Sequence, residues 1–239
     1  MKNIQMFNCD CMELFKKLKS ESIDCFVSDP PYKIVSGGQG KGDNLCGGIL
    51  KPIADRNDDG DGVRAGKLFK HVDIEFKTWL PEVYRVLKNG TDAYIMTNAR
   101  NLVDLQIEAE KVGFKFHNIL VWDKGNATPN RWYMQGLEFI LYMYKPPAKN
   151  INNMGTKNIF RIANVRNKIH PTEKPVRLMK ILIENSTNVG DIVLDPFAGS
   201  ASTLISCQES DRRFIGSEID KIFYDRANER RNNNRRKLF

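Results

Sequence analysis

Four consecutive residues, Asp29-Pro30-Pro31-Tyr32, join a carboxylate, two residues without backbone donors and an aromatic ring. Successive prolines fix φ and remove two N–H groups, leaving carbonyl oxygens free to accept from a ligand. A flat heterocycle with an exocyclic amine suits such a loop. The amine donates its two hydrogens to Asp29 and to a proline carbonyl, while Tyr32 stacks on the ring. The plain alternative is a Pro-Pro turn with an incidental Asp and Tyr. Position argues for chemistry, because the loop directly follows the apolar run 23–28, and ligands in open α/β sheets sit at the carboxyl ends of strands.

A second loop, Asp195-Pro196-Phe197-Ala198-Gly199-Ser200-Ala201-Ser202-Thr203, follows the apolar run 192–194 and leads into a helical pattern. Its small residues let the backbone approach a ligand closely, and the helix start offers free N–H groups to a carboxylate. About twenty residues on, Glu218 ends the next strand, where an acidic residue commonly holds the ribose hydroxyls of an adenosine-containing ligand. The dinucleotide fingerprint G-x-G-x-x-G is absent here and in Gly37-Gly38-Gln39-Gly40-Lys41-Gly42. Gly62-Val63-Arg64-Ala65-Gly66-Lys67 is one residue short of a phosphate-binding P-loop, and Leu68 stands where Ser or Thr is required. The pattern is therefore not that of a nucleoside triphosphatase.

Positioning these loops takes an α/β fold, and the chain alternates short apolar runs with helical spacing as a mostly parallel, helix-covered sheet does. Strands are predicted at 4–7, 23–28, 93–96, 119–122, 139–144, 192–194 and 214–216. The run 23–28 is apolar except at Asp24 and suits a strand buried on both faces. Helices are predicted at 11–18, with Met12, Leu14, Phe15 and Leu18 inward, and at 74–87, stopped by Asn89-Gly90. Further helices are expected at 102–112, from Thr172 and Pro175 with Leu178, Ile181 and Leu182 inward, and from Ser202. Residues 36–66 are a Gly/Asp-rich loop insertion without periodicity. The segment 145–168 breaks the pattern again with Pro146-Pro147 and several asparagines. A basic helix with Arg226, Arg230, Arg231, Arg235 and Arg236 closes the chain, readable equally as a phosphate-tracking face or a solvated one.

At 239 residues the chain has room for one such domain. A formal charge of +8 points to an anionic partner. No apolar run reaches the roughly 18 residues of a membrane span, and the start lacks the apolar core of a signal peptide. The five cysteines are scattered with no histidine cluster, so they read as reduced thiols of a cytoplasmic protein, and no metal site is expected. None of the ten prolines precedes a cysteine, which argues against ring-carbon methylation through a Pro-Cys nucleophile. Trp122, Phe139, Tyr142 and Tyr144 are expected in the core, whereas Trp132 and Tyr133 beside Arg131 are candidates for base stacking.

Together the two loops resemble those of the amino-directed DNA methyltransferases, which make N6-methyladenine or N4-methylcytosine. The first matches the family's Asp-Pro-Pro-Tyr motif and the second its Asp-Pro-Phe-x-Gly-Ser-Gly-Thr-Thr loop. His170-Pro171-Thr172-Glu173-Lys174-Pro175 is similar to the family's His-Pro-Thr-x-Lys-Pro element, and Asn8-Cys9-Asp10-Cys11-Met12-Glu13 to its opening. The catalytic motif precedes the cofactor motif, the order called the beta class. The resemblance implies a single domain over 1–239 with a Rossmann-like S-adenosylmethionine-dependent methyltransferase fold, a mostly parallel twisted sheet flanked by helices. It implies that Asp29, Pro30, Pro31 and Tyr32 grip the target base. Asp195, Phe197, Ala198, Gly199 and Ser200 would line the S-adenosylmethionine site, with Glu218 on the ribose. Asp10 and Cys11 would lie at the adenosine end, and Lys174 with His170 at the methionine carboxylate. Residues 145–168, with Arg161, Arg166 and Lys168, stand where the beta class carries target recognition, and with Arg131 are the expected DNA contacts. Ala201 and Ser202 depart from the family's Gly and Thr.

The resemblance further implies direct transfer of a methyl group to the N6 of an adenine flipped out of DNA, as in restriction-modification systems; a homodimer stays open, since dimers occur in this class. Asp at the head of the catalytic motif favours adenine, Ser being more frequent in cytosine-N4 enzymes. Cytosine N4, an RNA amine, and a non-catalytic nucleic-acid-binding role are the competing readings.

Overall fold

The computed structural model describes residues 4–31, 74–128, 133–166 and 173–237. Two units divide the chain: Met1–Pro30 with Glu75–Phe239, and Pro31–Ile74. The expected insertion 36–66 falls in the second and lies outside the described residues, as do Tyr32, Arg131, Trp132, Lys168 and His170.

The first unit is built on eight strands: β1 (Ile4–Phe7), β2 (Ile23–Ser28), β3 (Leu87–Thr97), β4 (Lys115–Thr128), β5 (Gln135–Lys145), β6 (Ile159–Arg161), β7 (Ile192–Asp195) and β8 (Arg213–Ser217). They form one sheet in the order β1-β8-β7-β2-β3-β5-β4-β6, with β5 alone antiparallel to its neighbours. The sheet is thus mostly parallel, as the alternation of runs predicts. Among the described residues six helices accompany it: α1 (Cys11–Lys17), α2 (Phe76–Val86), α3 (Leu102–Lys111), α4 (Val176–Ser186), α5 (Ser202–Glu209) and α6 (Lys221–Lys237).

Central β2 shows why both faces are covered. Its residues alternate sides. Phe26 stacks on Trp79 of α2, at 6.0 Å between ring centroids. Cys25 and Val27 point into a different cluster, with Leu178 and Leu182 of α4 and Leu204 of α5. Its charged member, Asp24, accepts from the Ile192 amide at 2.9 Å and pairs with Lys88 at 2.6 Å, which satisfies it between strands.

Several boundaries differ from the sequence reading. Helix α2 ends at Val86, and β3 runs straight through Asn89-Gly90, because Gly90 takes φ +73° where the β2–β3 register shifts. A glycine with positive φ serves a strand irregularity as well as a helix stop. Strands β4 and β5 outrun their apolar cores because antiparallel pairing carries on from Asn118↔Tyr142 to Asp123↔Leu137. Of the expected inward residues, Leu14, Phe15 and Leu178 are buried, whereas Met12, Leu18 and Ile181 are half-buried. Within 145–168, β6 joins the sheet edge, and Asn152 donates to Glu184 and Thr187 carbonyls at the end of α4, both at 2.8 Å.

Candidate active site

The parallel pairing of β2 with β7 brings the ends of both motif-bearing strands together. Ser28 ends β2 and donates to Asp195 Oδ1 at 2.6 Å, so one hydroxyl ties the loop after β2, expected to be catalytic, to the loop after β7, expected to hold the cofactor. Next in the chain, Asp29 receives the Lys174 ammonium on Oδ2. Its other oxygen, Oδ1, is buried and has no hydrogen-bond partner among the described residues. An acceptor left so is costly, of order 1–3 kcal/mol, and invites a donor. Pro30 is buried behind it and Pro31 half-buried.

Lys174 reaches this point from the stretch just ahead of α4. Its Nζ also lies 3.4 Å from Glu138 Oε2, and Lys124 stands 3.3 Å from Glu138 Oε1. Only 6% of the Lys174 side chain and 22% of Glu138 are exposed. Burial pushes the Asp29 carboxyl above its ordinary range against the pull of Lys174, and the charge of Glu138 adds to the rise. Burial acts on Glu138 in the same sense, but Lys174 and Lys124 more than reverse it and hold that carboxyl below its usual range.

The cofactor loop is braced from three sides. Asp195 accepts from Ser28, from Thr203 Oγ1 of α5 at 2.6 Å and from the Phe197 amide at 3.2 Å. Burial lifts its carboxyl to about 6 in spite of these bonds. Phe197 packs edge-on against Trp79 at 5.5 Å. The Ala198 amide donates to the Ser217 carbonyl at 2.9 Å, and the Gly199 amide to Glu218 Oε2 at 2.9 Å. Glu218 Oε1 takes the Asp220 amide, also at 2.9 Å. Gly216 sits opposite Asp195, and a Cβ there would meet the Asp195 carbonyl oxygen at 2.4 Å, so only glycine admits this approach of β8 to β7. On the far side Arg230 of α6 donates to the Ser200 carbonyl at 2.8 Å and pairs with Glu173 at 2.9 Å. Ser202 Oγ donates to the Lys174 carbonyl at 2.7 Å. Ala201 takes the left-handed conformation, φ +63°, at the N-terminus of α5.

A family model described as DNA methylase, of the N6/N4 methyltransferases, matches residues 23–229. The chain belongs to this DNA methylase family. The Type II methyltransferase M2.LlaDCHI of Lactococcus lactis subsp. cremoris is 26% identical, over 96% of this chain and 90% of its own length. M2.DpnII of Streptococcus pneumoniae is 27% identical over 94% and 88%. The crystal structure of the M1.HpyAVI-SAM complex superposes with a TM-score of 0.69 at 25% identity, covering 95% of this chain and 99% of that one. The methylase is an S-adenosylmethionine-dependent enzyme of DNA, and its residues fit the cofactor. The Glu218 carboxylate, fixed by the Gly199 and Asp220 amides, is an acceptor suited to a diol.

The methylase distributes the expected site residues unevenly. Asp29, Lys174, Asp195, Phe197, Ala198, Gly199, Ser200 and Glu218 gather at the carboxyl ends of β2, β7 and β8. Lys174, expected at the cofactor's carboxylate, presents its ammonium to Asp29 and Glu138. Asp10 caps α1, accepting from the Met12 amide at 2.7 Å, and burial pushes the Cys11 thiol up to about 12. Asn8, just ahead, donates to the Glu218 carbonyl at 2.8 Å. Arg161 is exposed beside Asp123 at 3.8 Å, and Arg166 is exposed. Tyr133 is 93% exposed, whereas Trp122 and Tyr142 are core and Phe139 and Tyr144 half-buried. Arg230, read in the sequence only as part of a basic helix, donates to the Ser200 carbonyl and pairs with Glu173. Glu138 escaped the sequence reading, yet a signal existed: it falls in phase with buried Ile140 and Tyr142 on β5. Among the described residues no helix is long and apolar enough to cross a membrane.

Proposed function

We propose that the methylase transfers the methyl group of S-adenosylmethionine to the N6 amine of an adenine flipped out of duplex DNA, acting in the cytoplasm. The observation that carries this reading is the state of Asp29: one oxygen on Lys174, the other buried and unpaired. An exocyclic amine is a poor nucleophile because its lone pair is delocalised into the ring. Accepting one N–H at Asp29 Oδ1 and the other at the Pro30 carbonyl favours a pyramidal nitrogen with a directed lone pair. The cofactor, when bound, supplies an electrophilic methyl group on a sulfonium. Asp29 then takes the proton that the methylated nitrogen must lose. Orientation by the braced loops supplies much of the acceleration. Extracting the base costs roughly a few kcal/mol of stacking and pairing, which contacts to the phosphates offset. Arg161, Arg166 and the exposed Tyr133 support that part of the reading. Asp at the head of the motif, where cytosine-N4 enzymes more often carry Ser, favours adenine.

The test uses isotope-labelled S-adenosylmethionine, unmethylated genomic DNA and mass spectrometry of the nucleosides. Label in N6-methyladenine is expected, with Asp29→Ala retaining cofactor binding and losing turnover by about 100-fold or more. Label in N4-methylcytosine, or full activity in Asp29→Ala, overturns the corresponding part.

A further inference from the structure

Asp29 does not own Lys174. The ammonium touches Asp29 and stands 3.4 Å from Glu138, whose second oxygen is 3.3 Å from Lys124. Two carboxylates and two ammonium groups alternate from the loop after β2, through the stretch ahead of α4, to the hairpin of β5 and β4. Among the described residues, Asp195 at the end of β7 also interacts with Asp29. Among the described residues, both acids keep one buried oxygen without a hydrogen bond, Asp29 Oδ1 and Glu138 Oε2. A lysine serving Asp29 alone would neutralise it, weakening it as an acceptor. A second carboxylate on the same ammonium divides that field.

We propose that Glu138 is a positioning residue for methyl transfer: by sharing Lys174 it leaves Asp29 basic enough to take the proton of the methylated amine. The inference rests on the reading of Asp29 as the acceptor. The step balances within the pocket. As the amine nitrogen gains its bond to carbon, the methyl–sulfur bond breaks with its electron pair remaining on sulfur. One N–H bond then breaks and an O–H bond forms on Asp29. Lys174 stays charged throughout and steadies the carboxylate that Glu138 keeps from full neutralisation. Glu138 needs no contact with the base for this role, and its side chain lies in the phase of β5 that also carries Ile140 and Tyr142 into the core.

The experiment is the pH profile of kcat for the full chain, with methyl transfer to DNA as readout, for the wild type, Glu138→Gln and Lys124→Gln. Ionised Asp29 is the active form, so activity falls as pH drops through its pKa. Removing the Glu138 charge lets Lys174 act on Asp29 alone, and the acid limb moves to lower pH by about one unit. A weaker base also lowers plateau kcat by about 3- to 10-fold, with KM for the cofactor unchanged. Removing Lys124 moves the limb the other way, because Glu138 then competes harder for Lys174. A structural Glu138 would move neither limb. An unmoved limb in Glu138→Gln, or shifts of the same sign in both variants, overturns the proposal. Lys124→Gln carries the test alone if Glu138→Gln fails to fold, and no shift there overturns it equally. Absence of transfer by the wild type sinks the Asp29 reading itself, whereas transfer with unmoved limbs sinks only the role of Glu138.

Discussion

Replacing Lys174 with Met removes the one cation shared by two buried carboxylates while keeping the length of the side chain. At 3.4 Å from Glu138 and an effective dielectric of 20, the lost attraction is about 5 kcal/mol, with the contact to Asp29 in addition. Desolvation of the ammonium offsets much of this, and breaking a buried pair costs about 3–5 kcal/mol net. The loss should depend on pH. In the wild type Glu138 titrates below its unfolded value, so its stabilisation is present above the ordinary carboxylate range. Without Lys174, burial and the mutual repulsion of Asp29 and Glu138 act on both acids, and only Lys124 pulls on Glu138. Their folded pKa values then exceed the unfolded ones, so stability is retained at low pH and lost as pH rises through the raised values. Urea denaturation at pH 5.5 and pH 8 measures this. We expect Lys174→Met to lose about 3–5 kcal/mol at pH 8 and under about 2 kcal/mol at pH 5.5, with unchanged m-values. Equal losses at both pH values would refute the electrostatic account and make Lys174 a packing residue.

Gly216→Ala brings a Cβ to 2.4 Å from the Asp195 carbonyl oxygen, which cannot retreat without moving the cofactor loop. A loss of about 1–3 kcal/mol with weaker cofactor binding is expected, and thermal unfolding with calorimetric titration reads both. Ala201→Gly relieves about 1–2 kcal/mol of left-handed strain at φ +63°, but gives up a buried methyl worth about 0.8 kcal/mol and adds about 0.4–1 kcal/mol of unfolded-state entropy. These nearly cancel, so the variant should lie within about 0.5 kcal/mol of wild type by denaturation, and a gain above about 1.5 kcal/mol would show that the strain dominates.

Both motifs were legible in the sequence because each is a contiguous run after an apolar strand, and contiguity is what a linear reading detects. Central β2 was legible for the same reason. Glu138 was not. The acid precedes the apolar run 139–144, so its one signal, the phase it shares with Ile140 and Tyr142, falls outside the predicted strand. Lys174 was legible as a motif member but not in its direction, since its side chain answers to Asp29, 145 positions away. Arg230 looked like one of several arginines on a basic tail, and only its bond to Ser200 distinguishes it. Three-residue β6 is too short to carry a periodicity, and Gly90 supplied a false helix stop because positive φ serves two kinds of backbone turn.

The sheet order also sets a timetable. Strand β1 pairs with β8 and with no other strand among the described residues, and Asn8 meets Glu218 across 210 positions. Closing a loop that long costs about 2 kcal/mol more than closing one of twenty residues. A nascent chain emerging from the ribosome holds the catalytic loop long before the strand that carries Glu218, and Arg230 appears later still. Glu218 and Arg230, which hold the loop after β7 at Gly199 and Ser200, therefore arrive close together and long after Asp29. Until α6 emerges the loop after β7 lacks the bond from Arg230, so that brace closes only after every strand of the described sheet has been made.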